Sequence, residues 1–298
     1  MKEIHVIGIG AGDPDQLTLQ AVREMGRADV FFLLDKGEDK AGLVAARELL
    51  LARHARPGHR VVVARDPERD RTAPTSGYVA AVDDWRRRRA GIYQRLIAEE
   101  LADDERGAFL VWGDPALYDS TAGILQEVQA RGEVEFSWTV VPGISSVSTL
   151  AARHRTGLNQ VGRPIQITTG RRLAESGLPD GVDDVVVMLD AHQAFARFTD
   201  QDLHIHWGAY LGTPDEILIS GPLADVADRI RATRAEARAR NGWIMDTYLL
   251  RRAGPADAEG PGGPGGPEGP GPGPATADPA GDGVGADPAG DGEAAGGP

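Results

Sequence analysis

Short continuous apolar runs alternate with longer helical patterns over the first half of the chain. The runs IHVIGI (4–9), VFFLL (30–34), VVVA (61–64), AFLVW (108–112) and WTVV (138–141) each end in turn residues. That pattern predicts strands buried on both faces of a parallel sheet. Helical patterns over 17–27, 42–53, 78–103 and 120–131 fill the gaps, which predicts a doubly wound α/β layer with helices on both faces. The texture then changes. PIQITT (164–169), DVVVML (184–189), LHIHWGAYL (203–211), EILIS (216–220) and WIMDTYLL (243–250) read as strands, with helices over only about 191–199 and 223–240. Neighbouring strands without intervening helices predict a mixed sheet. The polar stretch from Arg153 to Arg163 marks a boundary between two α/β domains, 1–153 and 154–253, with a ligand cleft between them.

Composition separates off the last segment. Residues 254–298 are Gly, Pro, Ala, Asp and Glu almost throughout and cannot bury enough apolar surface to offset ordering entropy, so a disordered tail is expected. The chain carries a formal net charge of −13. Eight of its 45 acidic residues and none of its 32 basic ones fall in that tail, leaving 37 acidic against 32 basic before it. A nearly balanced remainder gives no electrostatic case for nucleic acid. Cysteine is absent, which excludes disulfides, thiolate metal sites and a cysteine nucleophile. The N-terminus lacks the regions of a signal peptide, and no apolar stretch approaches the roughly 18 to 20 residues of a spanning helix. A cytoplasmic protein without membrane partners is expected.

Three Gly/Pro-rich turns follow strand patterns. The first, IHVIGIGAGDPDQLT, nearly spells a dinucleotide fingerprint: Gly8 and Gly10 are in place, but Asp13 occupies the third glycine slot. Asp13-Pro14 then forces a turn before a helix can begin. The second, Trp112 to Thr121, places Asp114 as an acceptor for ligand amines or hydroxyls and offers Asp119 or Ser120 as an N-cap; alone it also reads as an ordinary βα turn. The third, Val140 to Ser146, offers serine hydroxyls and N–H groups at a helix N-terminus; alone it also reads as a simple capped helix.

In this order the three turns resemble the tetrapyrrole methylases. That family's G-x-G-P-G-D…L-T matches Gly8 to Asp13 with Leu17-Thr18, its G-D-P-x-x-Y matches 113–118, and its V-P-G-I-[ST]-[SA] matches 141–146. Met188 matches a methionine after a later strand, and Gly212-Thr213 a Gly-Thr turn. The resemblance spans roughly residues 3 to 250. Ala11 stands where the family usually has proline, and Asp190 where a small residue is common. The stretches VFFLLDKGEDK (30–40), YVAAVDDWRRRR (78–89), GRPIQITTGRRL (162–173) and MLDAHQ (188–193) resemble the deacetylating branch of the family.

The resemblance implies a two-domain methylase fold, a homodimer, and S-adenosyl-L-methionine as methyl donor. It implies cofactor contacts from Gly10, Ala11, Gly12, Trp112, Gly113, Asp114, Leu117, Ser145, Ser146, Met188 and Gly212. For the branch it implies methylation of the tetrapyrrole precorrin-5 at C-1 with loss of the C-20 acetyl unit as acetate. Methyl transfer from a sulfonium asks mainly for in-line positioning, whereas deacetylation asks for water and a general base. Candidate acids and bases are Asp13, Asp35, Asp190 and His192, although Asp13 also reads as a turn residue and Asp35 as a strand-end cap. A substrate with several carboxylates calls for cations. Arg171 and Arg172 at a strand end are the preferred candidates, with Tyr118 as a further substrate contact; Arg86 to Arg89 also read as a solvated helix face. His204 and His206 alternate on a strand without a third metal ligand and are read as structural. The alternatives are a methylase for another ring position, a nicotinamide-dependent oxidoreductase and a non-catalytic tetrapyrrole carrier.

Overall fold

Five parallel strands form the first sheet, in the order β3-β2-β4-β1-β5. They are β1 (Lys2–Gly8), β2 (Val30–Asp35), β3 (Arg60–Arg65), β4 (Arg106–Val111) and β5 (Phe136–Val141). The computed structural model describes residues 1–35, 41–67 and 75–252. The expectations for the tail at 254–298 and for the 36–40 end of VFFLLDKGEDK lie outside the described residues.

Alternation along each strand decides which helices cover which face. Ile4, Val6, Phe32 and Phe109 point to one side and pack against Tyr93, Ile97, Ile124 and Val128. Those residues belong to α3 (Thr75–Glu100) and α4 (Thr121–Arg131). Ile7, Phe31, Ala108 and Leu110 point to the other and pack against Ala21, Met25, Leu50 and Leu51, from α1 (Leu19–Met25) and α2 (Ala41–His54). The chain leaves β1 towards one face and β4 towards the other, yet β1 and β4 are paired neighbours, Gly8 opposite Val111. Their carboxyl ends thus form a topological switch point, where open α/β sheets bind ligands.

A link through α5 (Ser146–His154) leads to the second sheet, in the order β6-β7-β10-β8-β9. Its strands are β6 (Ile165–Thr169), β7 (Asp184–Met188), β8 (Leu203–Ala209), β9 (Ile217–Pro222) and β10 (Asp246–Arg252). Only β6 and β7 pair in parallel among these, so the sheet is mixed. Val185, Val187, Trp207 and Tyr248 pack on one side against Leu223, Ile230 and Ala237 of α7 (Leu223–Asn241). Val186 and Leu249 face the other side, towards Val147 and Leu150 of α5.

Three local readings differ from the sequence pattern. The helix expected over 191–199 is a short 3-10 turn, Ala194–Phe198. A helix, α6 (Gly170–Ser176), follows β6 at once. The strand expected over 243–250 begins at Asp246, because Tyr210 binds the Trp243 carbonyl through its hydroxyl and the Met245 carbonyl through its amide.

Candidate active site

The three Gly/Pro-rich turns interlock backbone to backbone at the switch point. Gly10 and Gly113 exchange two main-chain hydrogen bonds, at 3.2 and 2.7 Å. Both have positive φ, 77° and 72°, a region that suits glycine. A Cβ on Gly143 would come within 2.1 Å of the Gly113 carbonyl oxygen, and one on Gly8 within 2.6 Å of the Gly143 nitrogen. The Asp114 carboxylate closes the arrangement, accepting from the Ala116 amide at 2.6 Å and the Gly143 amide at 3.0 Å. Gly12 carries the contact to the second sheet: a Cβ there would meet Thr213 Cγ2 at 2.6 Å.

A cavity of about 500 Å³ opens beside these turns. Its walls come from the ends of β2, β3 and β4, from α2 and α3, and from Trp112, Gly113, Asp114, Leu117, Tyr118, Ser145 and Ser146. Met188, Leu189 and Met245 close it from the second sheet. A narrow crevice shares Trp112, Ser146 and Met245 with this cavity and continues along Ala11, Tyr210, Leu211, Thr213, Trp243 and Thr247. Ser145 caps α5 by accepting from the Ser148 amide, while the Ser146 hydroxyl meets that of Thr247 at 3.3 Å. Two non-glycine residues on the rim, Tyr118 and Leu189, adopt positive φ of 51° and 54°. Such strain is held only where surroundings over-determine it. Burial pushes the Tyr118 phenol pKa up.

Residues 3–227 match the family model of the tetrapyrrole (corrin/porphyrin) methylases. The chain belongs to this family. A precorrin-6A synthase [deacetylating] from Sinorhizobium sp is 52% identical over 258 residues, covering 86% of this chain and 98% of that one. The structure of a cobalamin synthesis related protein from Corynebacterium diphtheriae aligns with a TM-score of 0.72 and 36% identity, covering 85% of this chain and 99% of that one. A uroporphyrin-III C-methyltransferase from Thermus thermophilus, solved in complex with S-adenosylhomocysteine, shares the fold at a TM-score of 0.50 and 18% identity, covering 84% of this chain and 92% of that one.

In this tetrapyrrole methylase the residues expected at the cofactor fall into two groups. Trp112, Gly113, Asp114, Leu117, Ser145, Ser146 and Met188 line the large cavity, and Ala11 lines the crevice. Gly10, Gly12 and Gly212 line neither and act through backbone packing: the Gly212 amide donates to Glu216 Oε2 at 2.7 Å.

The expected acids and bases separate more widely. Asp35 and Tyr118 border the large cavity. Asp13 does not; its carboxylate caps the 3-10 turn Pro14–Gln16 through the Asp15 amide and pairs with Arg153 at 3.4 Å. Asp190 is buried away from the cavity. It accepts from the His192 amide at 3.0 Å, the Ala194 amide at 2.6 Å and the Tyr248 hydroxyl at 2.7 Å. Arg234 donates to the Asp190 carbonyl at 3.0 Å and pairs with Asp246 at 2.9 Å, so this network anchors the Met188–Leu189 turn from behind. His192 is exposed and meets neither cavity. Arg171 and Arg172 are exposed on α6 and also line neither; Arg172 pairs with Glu175 at 3.7 Å.

Other polar groups stand at the cavity. Arg47, Glu48 and Asp119 line it, as does Arg89, the one member of the 86–89 run that does so. Asp119, rather than Ser120, caps α4 through the Thr121 amide at 2.7 Å. Sequence spacing carried no signal for Arg47 or Met245, which read as ordinary helix and strand residues. His204 and His206 flank Ser220, whose hydroxyl lies 2.9 Å from a ring nitrogen of each. Among the described residues no group of three or more His, Asp or Glu side chains is arranged to hold a metal, and no helix is long and apolar enough to cross a membrane.

Proposed function

We propose that this methylase uses S-adenosyl-L-methionine to methylate precorrin-5 at C-1 and releases the C-20 acetyl unit as acetate, forming precorrin-6A. The observation that carries the reading is the convergence of the three motif turns on one cavity, in a chain 52% identical to a deacetylating relative over nearly that relative's whole length.

The residues present fit the donor. The crevice and the adjoining cavity wall offer aromatic faces, small side chains and hydroxyls, and among the described residues that line the crevice none is basic, as a phosphate would call for. Ala11, Trp112, Ser146, Met245 and Thr247 would hold it, with Gly113 letting it approach the backbone. Bound there, S-adenosyl-L-methionine supplies a methyl group already activated on a sulfonium.

The chain's own part in methyl transfer is placement. Interlocked turns fix one wall against which the reacting groups are aligned. In-line placement alone supplies many orders of magnitude. Deacetylation needs a water and a group to take its proton. Among the four acids and bases expected from sequence, Asp35 is the one at the cavity, and we assign it that role. A homodimer, a cytoplasmic location and a division into domains at about residue 154 belong to the same proposal.

Titration calorimetry tests the reading. Tight binding of S-adenosylhomocysteine without NAD(P) binding supports it, and the reverse pattern sinks it. For the substrate, anaerobic incubation with precorrin-5 should yield a methylated product and one acetate per turnover; methylation without acetate would count against the deacetylating assignment.

A further inference from the structure

One arginine of the 86–89 run is drawn out of solvent into the wall of the large cavity. Arg87 and Arg88 are exposed and pair with Asp84, whereas Arg89 is buried and lines the cavity from α3. Four side chains hold its guanidinium. Nε lies 2.7 Å from Asp66 Oδ1, and both side chains of that pair are buried. Nη1 donates to Ser120 Oγ at 3.0 Å. Cζ lies over the Trp85 ring at 4.7 Å and the Tyr93 ring at 5.6 Å. The Nε hydrogen does not aim at Asp66 Oδ1, so that contact is one of charge and not an aligned hydrogen bond.

These partners belong to two stretches of the cavity wall. Asp66 directly follows β3, and its amide donates to the Asp35 carbonyl at 2.8 Å, which extends the β2–β3 pairing to Asp35. Trp85 grips the same stretch, donating through Nε1 to the Pro67 carbonyl at 3.0 Å. Ser120 stands on the other stretch, between the turn that holds Tyr118 and the start of α4. Its hydroxyl makes no cap bond to α4, a task that falls to Asp119 through the Thr121 amide, and it accepts from Arg89 instead. Asp35, Tyr118 and Asp119 all line the cavity. Arg89 therefore ties the stretch that carries Asp35 to the stretch that carries Tyr118.

We propose that Arg89 is a positioning residue for the deacetylation step: by holding Asp66 and Ser120 at once, it fixes where the Asp35 carboxylate stands relative to a ring resting against Tyr118. The inference rests on the methylase reading above and on the assignment of Asp35 made there. In the step it serves, the oxygen of a water adds to the acetyl carbonyl carbon and Asp35 takes a proton from that water. The bond from the acetyl carbon to C-20 then breaks, its electron pair stays on C-20, and C-20 takes up a proton as acetate leaves. A buried ion pair is a weak source of stability, because desolvation offsets the attraction; here its use is to hold a geometry, and a misplacement of about 1 Å costs on the order of a hundredfold in rate. Trp112, Ser146 and Met245, where crevice and cavity meet, lie outside this set of partners, so methyl placement is left to other groups.

The test uses the full chain with S-adenosyl-L-methionine and precorrin-5 under anaerobic conditions, with acetate and methylated tetrapyrrole quantified in the same samples. Arg89→Lys keeps a charge beside Asp66 but gives up the second arm and the flat stack. It should slow acetate release about ten- to a hundredfold, so that methylated product retaining its acetyl unit accumulates, while S-adenosylhomocysteine affinity and KM for precorrin-5 stay as in the unaltered chain. Ser120→Ala keeps the ion pair and removes only the Nη1 bond; it should show the same imbalance at about two- to tenfold, and it decides the matter alone if Arg89→Lys does not fold. Arg87→Gln, exposed in the same run, should match the unaltered chain in both products. A merely structural Arg89 would lower acetate and methyl transfer together, or neither, and either result overturns the proposal, as does an equal acetate deficit in Arg87→Gln. Failure of the unaltered chain to bind S-adenosylhomocysteine or to release acetate is a different result, and it removes the reading on which the proposal rests.

Discussion

The Asp114 carboxylate accepts a hydrogen bond from the Gly143 amide at 3.0 Å, so a side chain of the second motif turn holds the backbone of the third. Its other oxygen serves the Ala116 amide. Asp114 thus shapes the wall of the cavity that it also borders. Asp114→Ala should lower stability by roughly 1–3 kcal/mol, the cost of stranding two main-chain donors, and weaken S-adenosylhomocysteine binding. Asp114→Asn, which keeps one acceptor, should fall between. Calorimetry paired with urea unfolding checks both, and unchanged values in the alanine variant would remove the brace.

Gly143→Ala should be more disruptive than most single-methyl additions. The new Cβ would lie 2.1 Å from the Gly113 carbonyl oxygen, a main-chain atom with little room to yield. Overpacking costs typically about 1–3 kcal/mol, occasionally more. Gly132→Ala is the comparison: its φ is 67°, but a Cβ there meets nothing within 4 Å, leaving only the left-handed backbone cost of about 1–2 kcal/mol. A thermal melt in which Gly132→Ala is the less stable variant would contradict the close-packed seam.

Asp35→Asn separates the two halves of the proposed reaction. Removing a general base costs roughly 10²- to 10⁴-fold in the step it serves. Acetate release from precorrin-5 should fall by that order while S-adenosylhomocysteine affinity holds. Quantifying acetate against methylated product by mass spectrometry is decisive, and wild-type acetate release would exclude Asp35.

His206 makes stability depend on pH. Burial, followed by the neighbouring His204, His154 and Arg251, lowers its pKa from 6.5 to about 4. The unfolded chain therefore binds a proton that the folded chain refuses between those values, and stability rises with pH across that window. The contribution is complete above pH 6.5 and is lost as pH falls towards 4. His206→Gln should flatten the loss, seen as a smaller drop in urea midpoint from pH 7 to pH 4.5. An identical drop in both proteins would show that other groups set the slope.

Much of this was legible beforehand because the first sheet is built from runs that carry their own punctuation. VFFLL and AFLVW are apolar on both faces, end in polar or Gly/Pro residues, and became β2 and β4 with ends shifted by one or two residues. The second half was less transparent where elements are short. GRRLAES starts with glycine directly after a strand, and its helicity comes from the Thr169 cap and the burial of Leu173. The site divided along the same line. Gly113, Ser145 and Ser146 of the motifs border the cavity, on turns whose chemistry fixes residue type, while Gly10, Gly12 and Gly212 do not. Arg47 was not legible, because a cation at mid-helix looks the same facing solvent or a cavity. Asp13 and Asp190 attracted notice as carboxylates near the motifs, yet both are engaged in capping main-chain amides.

The glycine seam has a mechanical consequence. Gly8, Gly113 and Gly143 touch through main-chain atoms, which have no rotamers to change, so the three turns cannot shift one at a time. They form a fixed jaw. A bulky ring entering the cavity must then be accommodated on the facing side, where Met188, Leu189 and Met245 present flexible apolar side chains. The chain separates the half of the site that must hold its shape from the half that must give way.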